Sequence, residues 1–252
     1  MKRLEITNFP PLDYAGEEAI NTLATNLSFA GSDIRKVMIT SCQSGEGKSF
    51  LSMNLMRTLA GLGKRVVLVD ADLRKSCIAS CYGLRFPDGK IGLAHYLAGM
   101  NDINDTLYAT NIPNTYMVPV GRLVSNSLSL LNTPRLSQML DYLSERVDLV
   151  LVDAAPVGMI IDAAQISKSC DGTLIAVHYN RIHRRELLEV RRQIEQAGSK
   201  ILGCVLNEVE FESYSNRKYY NKSYYSYYAS DEIKTGRPNS ARSGRKVTER
   251  KR

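Results

Sequence analysis

Six runs of apolar residues recur along the chain, at 37–40, 66–69, 116–120, 149–152, 174–177 and 201–206. Each has the length of a strand. Their apolar character is continuous rather than alternating, which marks strands covered on both faces. Between them the pattern shifts to helical spacing at 50–62, 135–144, 162–169 and 184–197. A further helix is predicted over 15–29, where Ile20, Leu23 and Leu27 share one face. The start before it, with Pro10 and Pro11, reads as irregular. Strands alternating with helices in this way predict an α/β fold: a doubly wound, mostly parallel sheet with helices on both faces.

After Val209 the aliphatic residues nearly vanish, Ile233 and Val247 excepted, so this end has little with which to build a core. We therefore expect one globular domain over 1–212 and a flexible, basic tail over 213–252. The chain's 252 residues, 44% of them apolar, suffice for one sizeable core. No run reaches the roughly 20 apolar residues that span a bilayer. Met1 to Pro10 lacks the apolar stretch of a secretion signal, so a cytoplasmic protein is expected. The five cysteines, Cys42, Cys77, Cys81, Cys170 and Cys204, are odd in number and scattered, which suits reduced thiols better than disulfides or a metal site. The net charge of +7 is concentrated at one end: from Ser213 onward there are eleven Lys/Arg and three acids. Such a tail suits an anionic membrane face, nucleic acid or an acidic protein surface, or is simply solvated.

Candidate chemistry begins at Thr40-Ser-Cys-Gln-Ser-Gly-Glu-Gly-Lys-Ser49, which follows an apolar strand and opens a helix. Backbone N–H groups of such a loop cradle phosphates, Lys48 reaches the β/γ oxygens, and the Ser49 hydroxyl can hold Mg²⁺. Ser44, Gly45, Glu46, Gly47 and Phe50 complete the expected nucleotide contacts. Cys42 stands where the usual pattern has Gly. Two further strands end in carboxylates, at Asp70-Ala-Asp72-Leu-Arg74 and at Asp153-Ala-Ala-Pro156. Strand alternation puts Asp70 and Asp72 on one side. Strand C-termini line the ligand crevice of such sheets, so Asp70, Asp72 and Asp153 should converge on the phosphate loop. There they can anchor Mg²⁺ and receive the proton of an attacking hydroxyl.

Taken together, the P-loop, the D-x-D-x-R segment and the D-x-x-P segment resemble the bacterial tyrosine kinases of capsular and exopolysaccharide synthesis, the BY-kinases. The resemblance runs from about residue 17 to 228, and extends to 91–99 and to Leu202-Gly-Cys-Val-Leu-Asn207. It implies MgATP as cosubstrate, with Lys48, Ser49, Asp70, Asp72 and Asp153 serving phosphate, metal and proton transfer, Arg74 stabilising the transferring charge, and Asn207 near the adenine. Asp72 is the expected proton acceptor. It also implies a transmembrane chain-length regulator as activating adaptor, a cognate phosphotyrosine phosphatase, recruitment to the inner face of the plasma membrane, and self-association. The family's contact helix reads E-x-x-R-x-x-R; here Glu18 is followed by Asn21 and Ala24. The phosphate-loop proline of the family is Ser44 here.

The tail adds an independent feature: Tyr214, Tyr219, Tyr220, Tyr224, Tyr225, Tyr227 and Tyr228 are seven of the chain's fourteen tyrosines. Interleaved with polar and basic residues, they suit phosphoacceptors, and each phosphate would add roughly −1.5 to −2 charge. Stacking on single-stranded nucleic acid is the competing reading of such a segment; beside the nucleotide motifs, acceptor use is preferred and no nucleic-acid partner is expected. The alternative for the whole chain is a Par/Min-type positioning ATPase. Those proteins carry an extra lysine near positions 42 and 43, which hold Cys and Gln here. An iron–sulfur carrier would need a late C-x-x-C, which the sequence lacks; a homologue that only binds ATP is the remaining reading.

Overall fold

In the computed structural model, which describes residues 1–158 and 161–209, the apolar runs become strands of one sheet. The expected tail with its seven tyrosines lies outside the described residues. In chain order the first elements are β1 (Lys2–Ile6), α1 (Tyr14–Ser28), β2 (Lys36–Ser41), α2 (Lys48–Gly61), β3 (Val66–Asp70) and α3 (Ile78–Cys81). Next come β4 (Leu84–Arg85), α4 (Leu93–Leu97), α5 (Ile103–Thr106), β5 (Tyr108–Thr110), β6 (Thr115–Val118) and α6 (Ser127–Leu131). The last are α7 (Arg135–Ser144), β7 (Leu149–Asp153), α8 (Asp162–Ser167), β8 (Gly172–His178), α9 (Arg184–Gln196) and β9 (Ile201–Asn207). The strand order is β4-β1-β5-β6-β3-β7-β2-β8-β9. All pairs from β6 to β9 are parallel, and among the described residues only β1–β4 and β5–β6 run antiparallel.

The irregular start expected before residue 15 is corrected by β1. Leu4 and Ile6 are buried while Arg3 and Glu5 face solvent, a short alternation that extends the sheet beyond β6 by way of β5. The six expected strands and five expected helices all form.

Alternate residues of the central strands feed two separate cores, as a sheet covered on both faces requires. On one face Val37, Ile39, Leu68 and Leu151 pack with Ile20, Ala24 and Leu27 of α1 and with Met53, Met56 and Leu59 of α2. On the other, Met38, Val67, Val69, Val150 and Val152 pack with Met139 and Leu140 of α7, Ile166 of α8, and Val190 and Ile194 of α9. The two positions of α1 that depart from the family's contact pattern differ in setting. Ala24 is fully buried in the core, whereas Asn21 is exposed and hydrogen-bonds Glu18 at 3.5 Å.

The two ends of the sheet are chemically different. Where β2, β3, β7 and β8 begin, carboxylates hold the incoming backbone. Asp171 Oδ2 accepts the N–H groups of Arg35 and Lys36 at 2.9 and 2.7 Å, and Asp148 Oδ2 accepts that of Arg65 at 2.7 Å. The Arg65 N–H holds the Asp148 carboxyl below its usual range. Where the strands end, the buried acidic side chains of Asp70, Asp72 and Asp153 collect instead.

Candidate active site

Strand β2 delivers the chain into a tight loop, residues 42–47, whose closure depends on Gly45 and Gly47 at φ +85 and +80. Position 42 does not need glycine: its φ is not positive, and the Cys42 side chain is buried in the core beside α9. Helix α2 starts at Lys48 with Gly47 as cap residue and no side chain capping it, so its first N–H groups are available to an anion.

Glu46 is fully buried and turned into the protein. Its carboxylate accepts the N–H of Gln43 at 2.6 Å and that of His178 at 3.2 Å, bracing the loop against β8. The loop's Glu therefore meets phosphate through its backbone, not its side chain. Asn207, at the end of β9, donates to the Glu46 carbonyl at 3.2 Å, and a Cβ on Gly47 would lie 1.9 Å from its amide nitrogen. That amide occupies the space that only glycine leaves. Phe50, in the first turn of α2, is partly exposed.

Beyond the loop the expected residues converge, with one change of route. β3 ends at Asp70, so Asp72 is aimed by the following turn and not by strand alternation. Its Oδ2 lies 3.1 Å from Lys48 Nζ, and its Oδ1 accepts the Lys75 N–H at 2.9 Å. Asp153 accepts from Ser49 Oγ at 2.6 Å and from Ser52 Oγ at 3.1 Å. Asp70 and Asp153 are register partners on β3 and β7, and Ser76 donates to Asp70 Oδ2 at 2.5 Å. Burial would lower the Lys48 ammonium, but Asp153 and Asp72 outweigh it and raise it to about 12. Burial first, then Asp153, pushes the Asp70 carboxyl up to about 7. Asp153 is raised by burial as well.

Arg74 goes elsewhere. Its Nε and Nη2 grip Asp162 at 2.8 and 3.3 Å, its Nη1 donates to the Ser125 carbonyl at 3.1 Å, and Ser127 also donates to Asp162. Such a two-pronged pair with a carboxylate that is 2% exposed ties the segment after β3 to α8, and leaves that guanidinium spoken for. Residues that motif reading missed are Ser52, Ser76 and Asp162. Ser52 carried a legible signal, one helical turn beyond Lys48, but Ser76 and Asp162 belong to no motif. Along residues 42–44 and the start of α9 runs a cleft of about 710 Å³, lined by Gln43, Ser44, Gly158, Arg181, Arg185 and Glu186 among others.

One lysine among three carboxylates, at a loop with free N–H groups, is a nucleotide site with an acid excess. Asp70 Oδ1 is buried without a partner, an oxygen that a hard cation would satisfy. No three His, Cys, Asp or Glu side chains among the described residues form a ready-made cage. The donors thus fit Mg²⁺, which takes few protein oxygens and the rest from phosphate and water.

Comparison with known proteins agrees with the geometry. Residues 34–201 match the family model described as an AAA domain. Tyrosine-protein kinase CpsD of Streptococcus agalactiae serotype III (strain NEM316) is 36% identical over 194 residues, 77% of this chain and 82% of the relative. The kinase domain of the Escherichia coli tyrosine kinase ETK superposes with a TM-score of 0.72 at 29% identity, over 77% of this chain and 75% of that one. The septum site-determining protein MinD of Pyrococcus horikoshii, complexed with Mg-ADP, follows at a TM-score of 0.59 and 26% identity, over 68% and 69%. The chain is thus a nucleotide-binding P-loop protein, and it belongs to the bacterial tyrosine kinases of the capsular and exopolysaccharide systems.

Proposed function

We propose that this chain is a protein-tyrosine kinase that transfers the γ-phosphoryl group of ATP to its own C-terminal tyrosines, and so regulates capsule or exopolysaccharide assembly. The observation that carries the reading is the grouping of Lys48, Ser49, Asp72 and Asp153 at a phosphate loop, in a chain 36% identical to a tyrosine kinase over most of both lengths.

Lys48 and the N–H groups at the start of α2 bind and orient the phosphates. Asp72, fixed by Lys48 and the Lys75 N–H, takes the proton of the attacking phenol. Ser49, Asp153 and Asp70 would hold Mg²⁺, which when bound neutralises charge on the phosphates. Asn207, braced on Glu46, borders the adenine. Tyr214, Tyr219, Tyr220, Tyr224, Tyr225, Tyr227 and Tyr228 are the acceptors.

Among the described residues no helix is long and apolar enough to cross a membrane. We infer that a transmembrane chain-length regulator recruits and activates the chain, and that a phosphotyrosine phosphatase reverses it. The second reading, a positioning ATPase, is favoured by the likeness to MinD and opposed by Cys42 and Gln43 where such proteins carry lysine.

Intact-mass analysis of protein incubated with MgATP, with and without an adaptor's cytosolic segment, tests both. Phosphate additions should appear in the wild type and vanish in Lys48→Ala and in a variant with the seven tail tyrosines changed to Phe. Hydrolysis without any mass gain would transfer the case to the positioning ATPase.

A further inference from the structure

Counting charge around the phosphate loop exposes a deficit. Lys48 is shared between Asp72 and Asp153, and Arg74 is bound to Asp162. A nucleoside triphosphate brings several more negative charges, and the charge that develops on a transferring phosphoryl group is ordinarily met by a further cation.

One such cation stands at the loop. Arg181 lies in the short connection between β8 and α9, 132 positions beyond Ser49 in the chain and outside every motif. A Cβ on Gly45 would meet its Nη1 at 3.4 Å and its Nη2 at 4.0 Å, so the guanidinium lies over the phosphate loop. The connection that carries it is fixed at several points. The Tyr179 N–H donates to the Asn207 carbonyl at 2.8 Å, Asn180 takes a left-handed conformation at φ 54, and His178 is braced by Glu46 through its N–H. Next to it, Gln43 of the loop donates to Glu186 of α9 at 2.6 Å, which joins the loop to the same helix start. Arg181 is exposed, lines the cleft beside Ser44, and makes no ion pair or side-chain hydrogen bond with any described residue. A guanidinium held near a phosphate loop and not committed to a carboxylate is suited to bind phosphate oxygens in a fork.

We propose that Arg181 contacts the terminal phosphate of the bound nucleoside triphosphate and supplies the charge stabilisation that Arg74, committed to Asp162, does not. In the reaction the bond from the γ-phosphorus to the β,γ-bridging oxygen breaks and the bond from the phenolic oxygen to phosphorus forms. The phenol proton passes to Asp72 and ADP leaves. The proposal rests on the kinase reading only for the identity of the acceptor; its contact with the terminal phosphate would hold for hydrolysis too.

The test compares Arg181→Ala and Arg181→Lys with Arg192→Ala, a loss of the same charge farther along α9. Binding of ADP and of a non-hydrolysable ATP analogue is measured by calorimetry, and tyrosine phosphorylation by intact mass. For Arg181→Ala the analogue should bind about tenfold more weakly with ADP changed by no more than about twofold, and phosphotransfer should slow by about 10²-fold. Arg181→Lys should recover part of both losses, and Arg192→Ala should match the wild type. Equal weakening of ADP and the analogue would overturn the assignment, since the residue would then touch the part both nucleotides share. Unchanged binding and rate would overturn it as well. If the wild type hydrolyses ATP but never gains phosphate, the kinase reading falls, while the comparison of ADP with the analogue still decides the role of Arg181.

Discussion

Asp70 shows how a single buried carboxyl ties the site to stability. Its pKa is about 7 in the fold against 3.8 for an unperturbed group, because burial and the neighbouring Asp153 disfavour the anion. Between those values the folded chain holds a proton that the unfolded chain has released. Stability from this group is therefore present at low pH and declines as pH rises through that window, and above it the fold carries a buried anion. Asp70→Asn removes the anion at nearly constant shape. In chelator, the variant should melt at a higher temperature than wild type near pH 8, and the advantage should disappear near pH 4, where both side chains are neutral. A gain of equal size at both values would show that packing, not charge, separates the two proteins. The variant should at the same time lose metal-dependent phosphotransfer, the usual trade of activity for stability at a charged site.

The elements that meet at the phosphate loop come from distant parts of the chain, and β9 is coupled to the start of α2 by one amide. Gly47→Ala forces a left-handed alanine and drives its Cβ against Asn207, which must release the Glu46 carbonyl. The expected cost is about 2 kcal/mol, roughly half from the strained φ and half from the lost hydrogen bond. Because that bond is then already broken, Asn207→Ala should cost about 1 kcal/mol in the wild type and almost nothing in the Gly47→Ala background. Urea denaturation of the four proteins measures this. Additive losses would mean that the two residues act independently. The same junction shows what local sequence conveys and what it does not. The glycines, Lys48 and Ser49 are adjacent and legible as a unit. That the Glu46 side chain turns inward depends on β8 being the neighbour of β2, a pairing no local pattern contains.

At the scale of the whole molecule, the six long apolar runs were sufficient to foresee a doubly wound sheet, since continuous burial leaves few other arrangements. β1 escaped because Leu4 and Ile6 give only two alternating apolar positions, and its partner β5 is shorter still, at three residues. The convergence of Lys48, Asp70, Asp72 and Asp153 was also foreseeable, because carboxylates at adjoining strand ends have one crevice to face. The pairing of Arg74 was out of reach for a physical reason: Asp162, its partner, arrives 88 residues later from α8 and holds the guanidinium. Arg181 was equally out of reach, since its place over Gly45 is set by the order of β2 and β8.

The contrast between the two ends of the sheet also fixes where the domain first gives way. Backbone amides of Arg35, Lys36 and Arg65 are tethered to carboxylates at one end, whereas at the other the buried Asp70 carboxyl adjoins Asp153, which disfavours its ionisation. Without metal and nucleotide, amide hydrogen exchange should accordingly be fastest at the ends of β3 and β7 nearest Asp70 and Asp153, and slowest where β2 and β3 begin. MgATP should slow the fast set selectively, and uniform slowing across the sheet would argue against this polarity. A sheet with that polarity would have a firm end and a breathing end, and the kinase would draw its plasticity from the end at which it works.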